Sequence, residues 1–252
     1  MLCEKKTDVP IPFDHFVLLV QDLDQAARDF AALGFTVQTR ADTEHGKAEY
    51  RFICFDDGSY LLLTAFTSPE AQATHRLGEV LAVGEGWADW SFTVPDAKAA
   101  AAALAAAGLP TRGPVAVSNV IADGSKWALE LLMCGRGCGG DVCLPFVVSD
   151  VEGRSARIPA PKPHANGATG LVGLSLSTAD ATTVGRTLAL LGGTQTARGQ
   201  FDFGKVRVEV LPLDTPQGRP GGGMVKAVLS GSTAREFDIA QTHGAPLAMI
   251  RA

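Results

Sequence analysis

The chain has 252 residues, of which 46% are hydrophobic and 19% charged, and a net charge of −5. That is enough for one large domain or two small ones around a sizeable core. The acidic charge is interspersed, and no basic patch with interleaved aromatics occurs, so nucleic-acid binding is not expected.

The opening "MLCEKKTDVPIPF" has lysines but no apolar h-region, so no signal peptide is expected. Five cysteines without an export signal point to reduced thiols and a cytoplasmic location. Next, "FDHFVLLV" reads as a strand headed by His15, and a helix follows at once. Asp22 and Gly34 stand twelve residues apart, an N-cap and a C-cap with about three helical turns between them. Three β-rich runs follow: "FTVQTR", "AEYRFICF" and "SYLLLTAF". Alternation along the first strand puts His15, Val17 and Leu19 on one face, and Asp14, Phe16, Leu18 and Val20 on the other. The bulkier set should pack under the helix, which turns His15 toward a concave side.

The pattern returns. "DWSFTVPDAKAAAAALAAAGL" has Asp96 and Gly108 twelve apart, and "GLSLSTADATTVGRTLALLGG" has Asp180 and Gly192 twelve apart. A fainter copy, "VKAVLSGSTAREFDIAQTHGA", sets Ser232 and Gly244 at the same spacing. Four matches at one spacing indicate internal duplication of a β-α-β-β-β unit. The units lie near 11–67, 86–151, 168–214 and 223–252, the last without its final two strands. The Pro- and Gly-rich segment 152–167 reads as a linker between one half at 11–151 and another at 168–252. "GRPGGGM" reads as a flexible connector between the last two units, since no Lys-Ser/Thr follows it. The alanine tract from Ala99 to Arg112 is too short and too weakly apolar to span a bilayer. His75 and His243 fall in expected helices and read as solvated.

Tandem βαβββ units with His on the first strand resemble the vicinal oxygen chelate superfamily, and most closely its glyoxalase-like family. The stretches that carry the likeness are "DHFVLLVQDLDQAARDFAALGFTV", "FDDGSYLLLTAF", "WADWSFTVPD", "LPFVVSD" and "HANGATGLVGLSLSTAD". The resemblance implies an α+β fold of curled mixed sheets around a cleft, with helices outside. It implies a small oxygenated metabolite as ligand but not the reaction, because the fold hosts several chemistries. A lyase, isomerase or dioxygenase and a non-catalytic sequestering protein both remain open.

In metal-dependent members, His or Glu ligands come from the first and last strands of paired units and hold a divalent Lewis acid. His15 occupies the first-strand position, and its repeat equivalents are Asp89, Gly173 and Val225. On the last strand of unit one Leu62 stands where the family pattern expects Glu. Glu49 and His45 in unit one, Glu130 in "WALELL" and Glu209 in "VRVEVL" are the substitutes on offer. A ligand set of His15, Asp89, Glu49 and Glu209 is thus one expectation, with His15 as metal-free base or pocket wall another, and a purely structural His15 a third. His164, where the linker enters unit three, is a second catalytic candidate, and Trp127 with Asp89 and His45 completes the expected pocket. Cys134, Cys138 and Cys143 have gaps of three and four residues and no fourth ligand nearby, which reads against structural zinc. The expected partner is a small-molecule ligand, with no nucleic acid and no membrane, and a homodimer is a candidate assembly.

Overall fold

The protein is represented by a computed structural model that describes residues 13–44 and 46–252. Unit one builds β1 (Phe13–Leu19), α1 (Leu23–Ala32), β2 (Ala48–Cys54) and β3 (Tyr60–Phe66). Two short helices, α2 (Pro69–Ala73) and α3 (Gly78–Val83), lead into unit two: β4 (Gly86–Thr93), α4 (Ala97–Ala106), β5 (Arg112–Val120), β6 (Lys126–Met133) and β7 (Phe146–Glu152). One helical turn, α5 (Arg154–Arg157), sits in the linker. The second half is β8 (Ala168–Thr178), α6 (Ala181–Leu190), β9 (Thr194–Ala197), β10 (Gln200–Phe203), β11 (Val206–Pro212), β12 (Gly223–Gly231), β13 (Arg235–Glu236) and β14 (Leu247–Arg251).

The three strong repeats owe their helices to the same chemistry. Asp22, Asp96 and Asp180 each accept a backbone N–H of the first turn, which satisfies donors the helix cannot use itself. Gly34, Gly108 and Gly192 leave the helices at φ of 89°, 71° and 102°, where a Cβ would be strained.

Two seven-stranded mixed sheets result, in the orders β2-β3-β1-β4-β7-β6-β5 and β13-β14-β12-β8-β11-β10-β9. Each has the same centre. β1 pairs with β3 in parallel and with β4 antiparallel, and β8 pairs likewise with β11 and β12. The first sheet curls into a half-barrel. The helix-facing sides of both sheets share one core, in which Phe92 of β4 meets Phe203 of β10 at 4.8 Å between ring centroids. Burial of each such aromatic contributes roughly 1.5–3 kcal/mol.

The fourth copy forms no helix. Its Phe237 turns inward against Phe35 at 5.2 Å and donates its N–H to Leu247 O, while Arg235 and Glu236 pair with β14. Only a turn capped by Asp238 survives, and Gly244 ends it at φ 74°. Tertiary pairing has overridden the helical spacing. His243, expected in that helix, is partly buried between Glu85 (2.8 Å) and Asp29 (3.1 Å), and His75 lies in the turn between α2 and α3.

Unit one also lacks a strand at "FTVQTR". There, Gln38 bridges to Phe52 on β2, and Asp42 bridges to Ile121 just past β5. The Thr43 N–H reaches Val120 O at 2.9 Å and the Ala122 N–H reaches Ala41 O at 2.8 Å. Residues 38–44 therefore form a strap that joins the two edge strands of the first sheet across its open side.

Candidate functional site

The concave face of the first sheet is set by a β-bulge. Phe13 lies opposite Phe92 and His15 opposite Ser91, which leaves Asp14 as an extra residue. Phe13 therefore joins Phe16 in the shared core, and Asp14 swings to the side of His15. Simple alternation had put Asp14 with Phe16; the bulge breaks that period. Val17 and Leu19 share the concave face as expected, packed with Trp127, Phe146 and Val148.

Asp14 is completely buried and nevertheless charged. It accepts both Nη groups of Arg157 at 3.0 Å, Nδ1 of His15 at 2.9 Å and the Tyr60 hydroxyl at 3.3 Å, and Arg154 lies at 2.8 Å. Burial alone would raise its pKa; the His15 bond and the Arg157 charge outweigh that and hold the carboxyl well below the usual carboxylate range. Asp150 binds Nε of Arg157 at 2.9 Å and Arg154 at 2.7 Å, so the two arginines and two aspartates balance. His15 stacks on Tyr60 at 4.6 Å and meets the Phe146 edge at 5.3 Å. Its Nδ1 is engaged by Asp14, and among the described residues no group bonds Nε2.

The metal expectation is tested by the same register. Val17 lies beside Leu62 on β3, and Ser91, its repeat equivalent, lies beside Phe146 on β7. Both last-strand positions of the paired units are thus apolar. Asp89 is bound by Arg76, whose guanidinium also covers the Phe146 ring at 5.0 Å. Among the described residues no group of three or more His, Cys, Asp or Glu is placed to hold a metal ion. Among the described residues the donor set does not fit a divalent cation: one histidine nitrogen and one arginine-bound carboxylate are too few.

The other expected ligands lie apart. Glu130 is on β6, not the last strand of its unit, and pairs with Lys98 of α4 at 2.8 Å on the outer face. Glu49 shares a row with Ala65, whose side chain joins the helix-side core, so it sits at the rim on edge strand β2. Glu209 belongs to the second sheet, beside Ser175 and Gln200. His45 lies outside the described residues. His164 is buried away from the cleft, with rings of Phe35 and Phe55 against it. Its Nδ1 accepts the Thr36 N–H at 2.9 Å and its Nε2 meets Cys54 O at 3.2 Å, so both nitrogens tie the linker to unit one.

Above the buried charges, the strap and the sheet enclose a cavity of about 450 Å³. Tyr50, Phe52, Val117 and Trp127 line it from the strands, and Arg40 and Asp42 from the strap. The Arg40 guanidinium lies 4.8 Å from the Trp127 ring and 5.1 Å from Phe52, within cation–π range. Asp42 balances its charge through two bonds of 2.7 and 2.8 Å, and its third nitrogen donates to Arg157 O. Trp127 Nε1 is buried without an acceptor among the described residues, whereas the indoles of Trp87 and Trp90 reach Pro246 O and Cys143 O at 2.8 Å.

Sequence reasoning missed Asp14, Arg157, Arg40 and the strap. Two arginines in an otherwise Pro- and Gly-rich linker, with an aspartate inside each of two apolar strands, were the available signal for the charge cluster.

A family model described as "Glyoxalase-like domain" matches residues 13–192. The chain belongs to the glyoxalase-like domain family. Among solved structures, this glyoxalase-like chain is similar to a hypothetical protein from Staphylococcus aureus, with a TM-score of 0.68 and 12% identity over 95% of this chain and 99% of that one. It is also similar to a mutant 4-hydroxymandelate synthase from Streptomyces coelicolor, with a TM-score of 0.53 and 13% identity over 93% of this chain and 74% of that one. At such identities the likeness is one of fold. No curated protein matches the glyoxalase-like chain. Among its described residues no helix is long and apolar enough to cross a membrane.

Proposed function

We propose that the chain binds a small oxygenated metabolite in the strap-covered cavity of its first sheet, without a metal ion to hold it. The observation that supports this most directly is Trp127, which lines a cavity of about 450 Å³ and whose Nε1 is a buried donor with no acceptor among the described residues. A buried polar group left unbonded costs about 1–3 kcal/mol, and a ligand oxygen recovers that cost. The volume suits a small ligand, and the aromatic walls with few polar points are the usual character of such sites. Arg40 is already balanced by Asp42, and Glu44 and Glu49 stand at the rim, so a neutral carbonyl or hydroxyl ligand is favoured over an anion.

A thermal-shift screen of diols, hydroxy ketones and phenols tests this reading. At least one class should raise the melting temperature of the wild type and lose that effect in Trp127→Phe. A response unchanged in Trp127→Phe would remove the basis of the proposal.

A second reading is proton-transfer catalysis at His15. It is favoured by the Asp14–His15 bond, which orients the ring as a carboxylate orients a catalytic base. Turnover of a cavity ligand that persists in His15→Gln would dismiss it.

A further inference from the structure

The three repeat helices differ at their first residue. It is Leu23 in α1 and Ala97 in α4, and both are buried. In α6 it is Ala181, which is exposed. Gly185 and Ala189, one and two turns further on, lie on the same face and are equally small. Gly185 lets the helix approach β10, because a Cβ there would stand 3.0 Å from the Phe201 ring. These small residues and strands β10 and β11 bound a cavity of about 850 Å³, which shares no residue with the strap-covered one.

Its lining is apolar at the floor and basic at the sides. Phe201 of β10, Val210 of β11 and Leu213 just past β11 face it, and Leu213 is 39% exposed. Arg186 lines it from α6 and Arg198 from the turn between β9 and β10. No aspartate or glutamate lines it, although the chain as a whole carries a net charge of −5. Carboxylates on the adjoining elements are engaged elsewhere. Asp180 caps α6 through the Thr183 N–H at 2.9 Å, Asp202 pairs with Arg207 at 2.9 Å, and Asp141 holds the Thr178 hydroxyl. Arg186 gives one nitrogen to Ala107 O at 2.7 Å, a neutral acceptor that leaves its charge unbalanced.

We propose that this cavity of the second half binds a carboxylate with a hydrocarbon tail. The tail covers Phe201, Val210 and Leu213 in the space that Ala181 leaves open, and removes their apolar surface from water. The carboxylate takes the Arg198 guanidinium, whose fork matches two oxygens, and Arg186 adds a second positive charge from the facing wall. An apolar floor with a few charged points is the usual character of a small-molecule site.

The test is calorimetric titration of the full chain with octanoate at constant ionic strength, with parallel titrations of octan-1-ol and acetate. One saturable octanoate site is expected, with octan-1-ol about tenfold weaker and acetate weaker still. Arg198→Gln should weaken octanoate about tenfold, the effect of one lost bond between charged groups, and leave octan-1-ol unchanged. Ala181→Leu restores the side chain that α1 carries at this position, so it should weaken octanoate and octan-1-ol alike. Both positions are exposed, so neither substitution should cost folding. Trp127→Phe should leave octanoate binding unchanged, which separates this site from the strap-covered cavity. The proposal is overturned by absent or unsaturable octanoate binding, by octan-1-ol or acetate binding as tightly as octanoate, or by unchanged octanoate binding in Arg198→Gln or Ala181→Leu. Octanoate binding lost in Trp127→Phe would overturn it too.

Discussion

Asp14 and His15 are neighbours on one strand, yet their side chains meet on the same side of the sheet, Oδ2 to Nδ1 at 2.9 Å. The bulge that permits this places a charged carboxylate at the centre of the half-barrel, where Arg157 makes it tolerable. Removal of Arg157 leaves that carboxylate buried and short of donors. Arg157→Ala is expected to cost about 3–5 kcal/mol in urea unfolding at pH 7. A loss below about 1 kcal/mol would mean the cluster is not a stabilising unit.

The same cluster fixes an acid limit. The folded pKa of Asp14 is depressed, so its contribution is present above the unfolded carboxylate value of about 4. It is lost as the pH falls toward the folded value, because the unfolded chain takes up the proton first. The stability difference between wild type and Asp14→Asn should therefore be largest near neutrality and shrink steadily below pH about 4. A difference that is constant from pH 7 to pH 2 would contradict the buried charge.

His164 acts at milder pH. Burial lowers its pKa, and both ring nitrogens already serve Thr36 and Cys54. Between the folded and unfolded values only the unfolded chain binds the proton, so stability falls as the pH drops below about 6.5. His164→Ala should cost roughly 1–3 kcal/mol at pH 8, where two backbone groups lose their partner. That cost should be smaller at pH 5. Equal costs at the two pH values would show that the ring is not held neutral.

Much of this molecule could be read from its sequence. The Asp-to-Gly spacing identified three helices and hence the repeat, because caps are local chemistry that tertiary packing rarely needs to overrule. It failed in the fourth copy, where Phe237 found a core position beside Phe35. The face of His15 was legible from alternation, but the face of Asp14 was not, since a bulge is fixed by pairing with β4 rather than by local sequence. Glu49, Glu209 and His15 carry metal-binding chemistry, and only the sheet order shows that they do not converge. Arg157 looked like linker because its role depends on an aspartate 143 residues away.

The cysteine loop gives a further check. Burial pushes the Cys134 thiol up to about 12 and Cys143 well above its ordinary value, so both stay protonated at neutral pH. Cys138 is half-buried, and its thiol donates to Gly135 O at 3.1 Å. Brief alkylation of the native chain at pH 8, followed by peptide mapping, should label Cys138 first among these three. Equal labelling of all three would mean the loop opens far more readily than its packing implies.

The most direct measurement is the indole region of a ¹H–¹⁵N spectrum, recorded as a cavity ligand found in the thermal-shift screen is added. The chain has three tryptophans, and the indoles of Trp87 and Trp90 already have carbonyl acceptors. Ligand should move the one indole resonance that is missing in Trp127→Phe, downfield in the proton dimension as Nε1 gains an acceptor, and leave the other two in place. If the ligand binds and the Trp127 resonance does not move, or only those of Trp87 and Trp90 do, the strap-covered cavity is not where this protein holds its ligand.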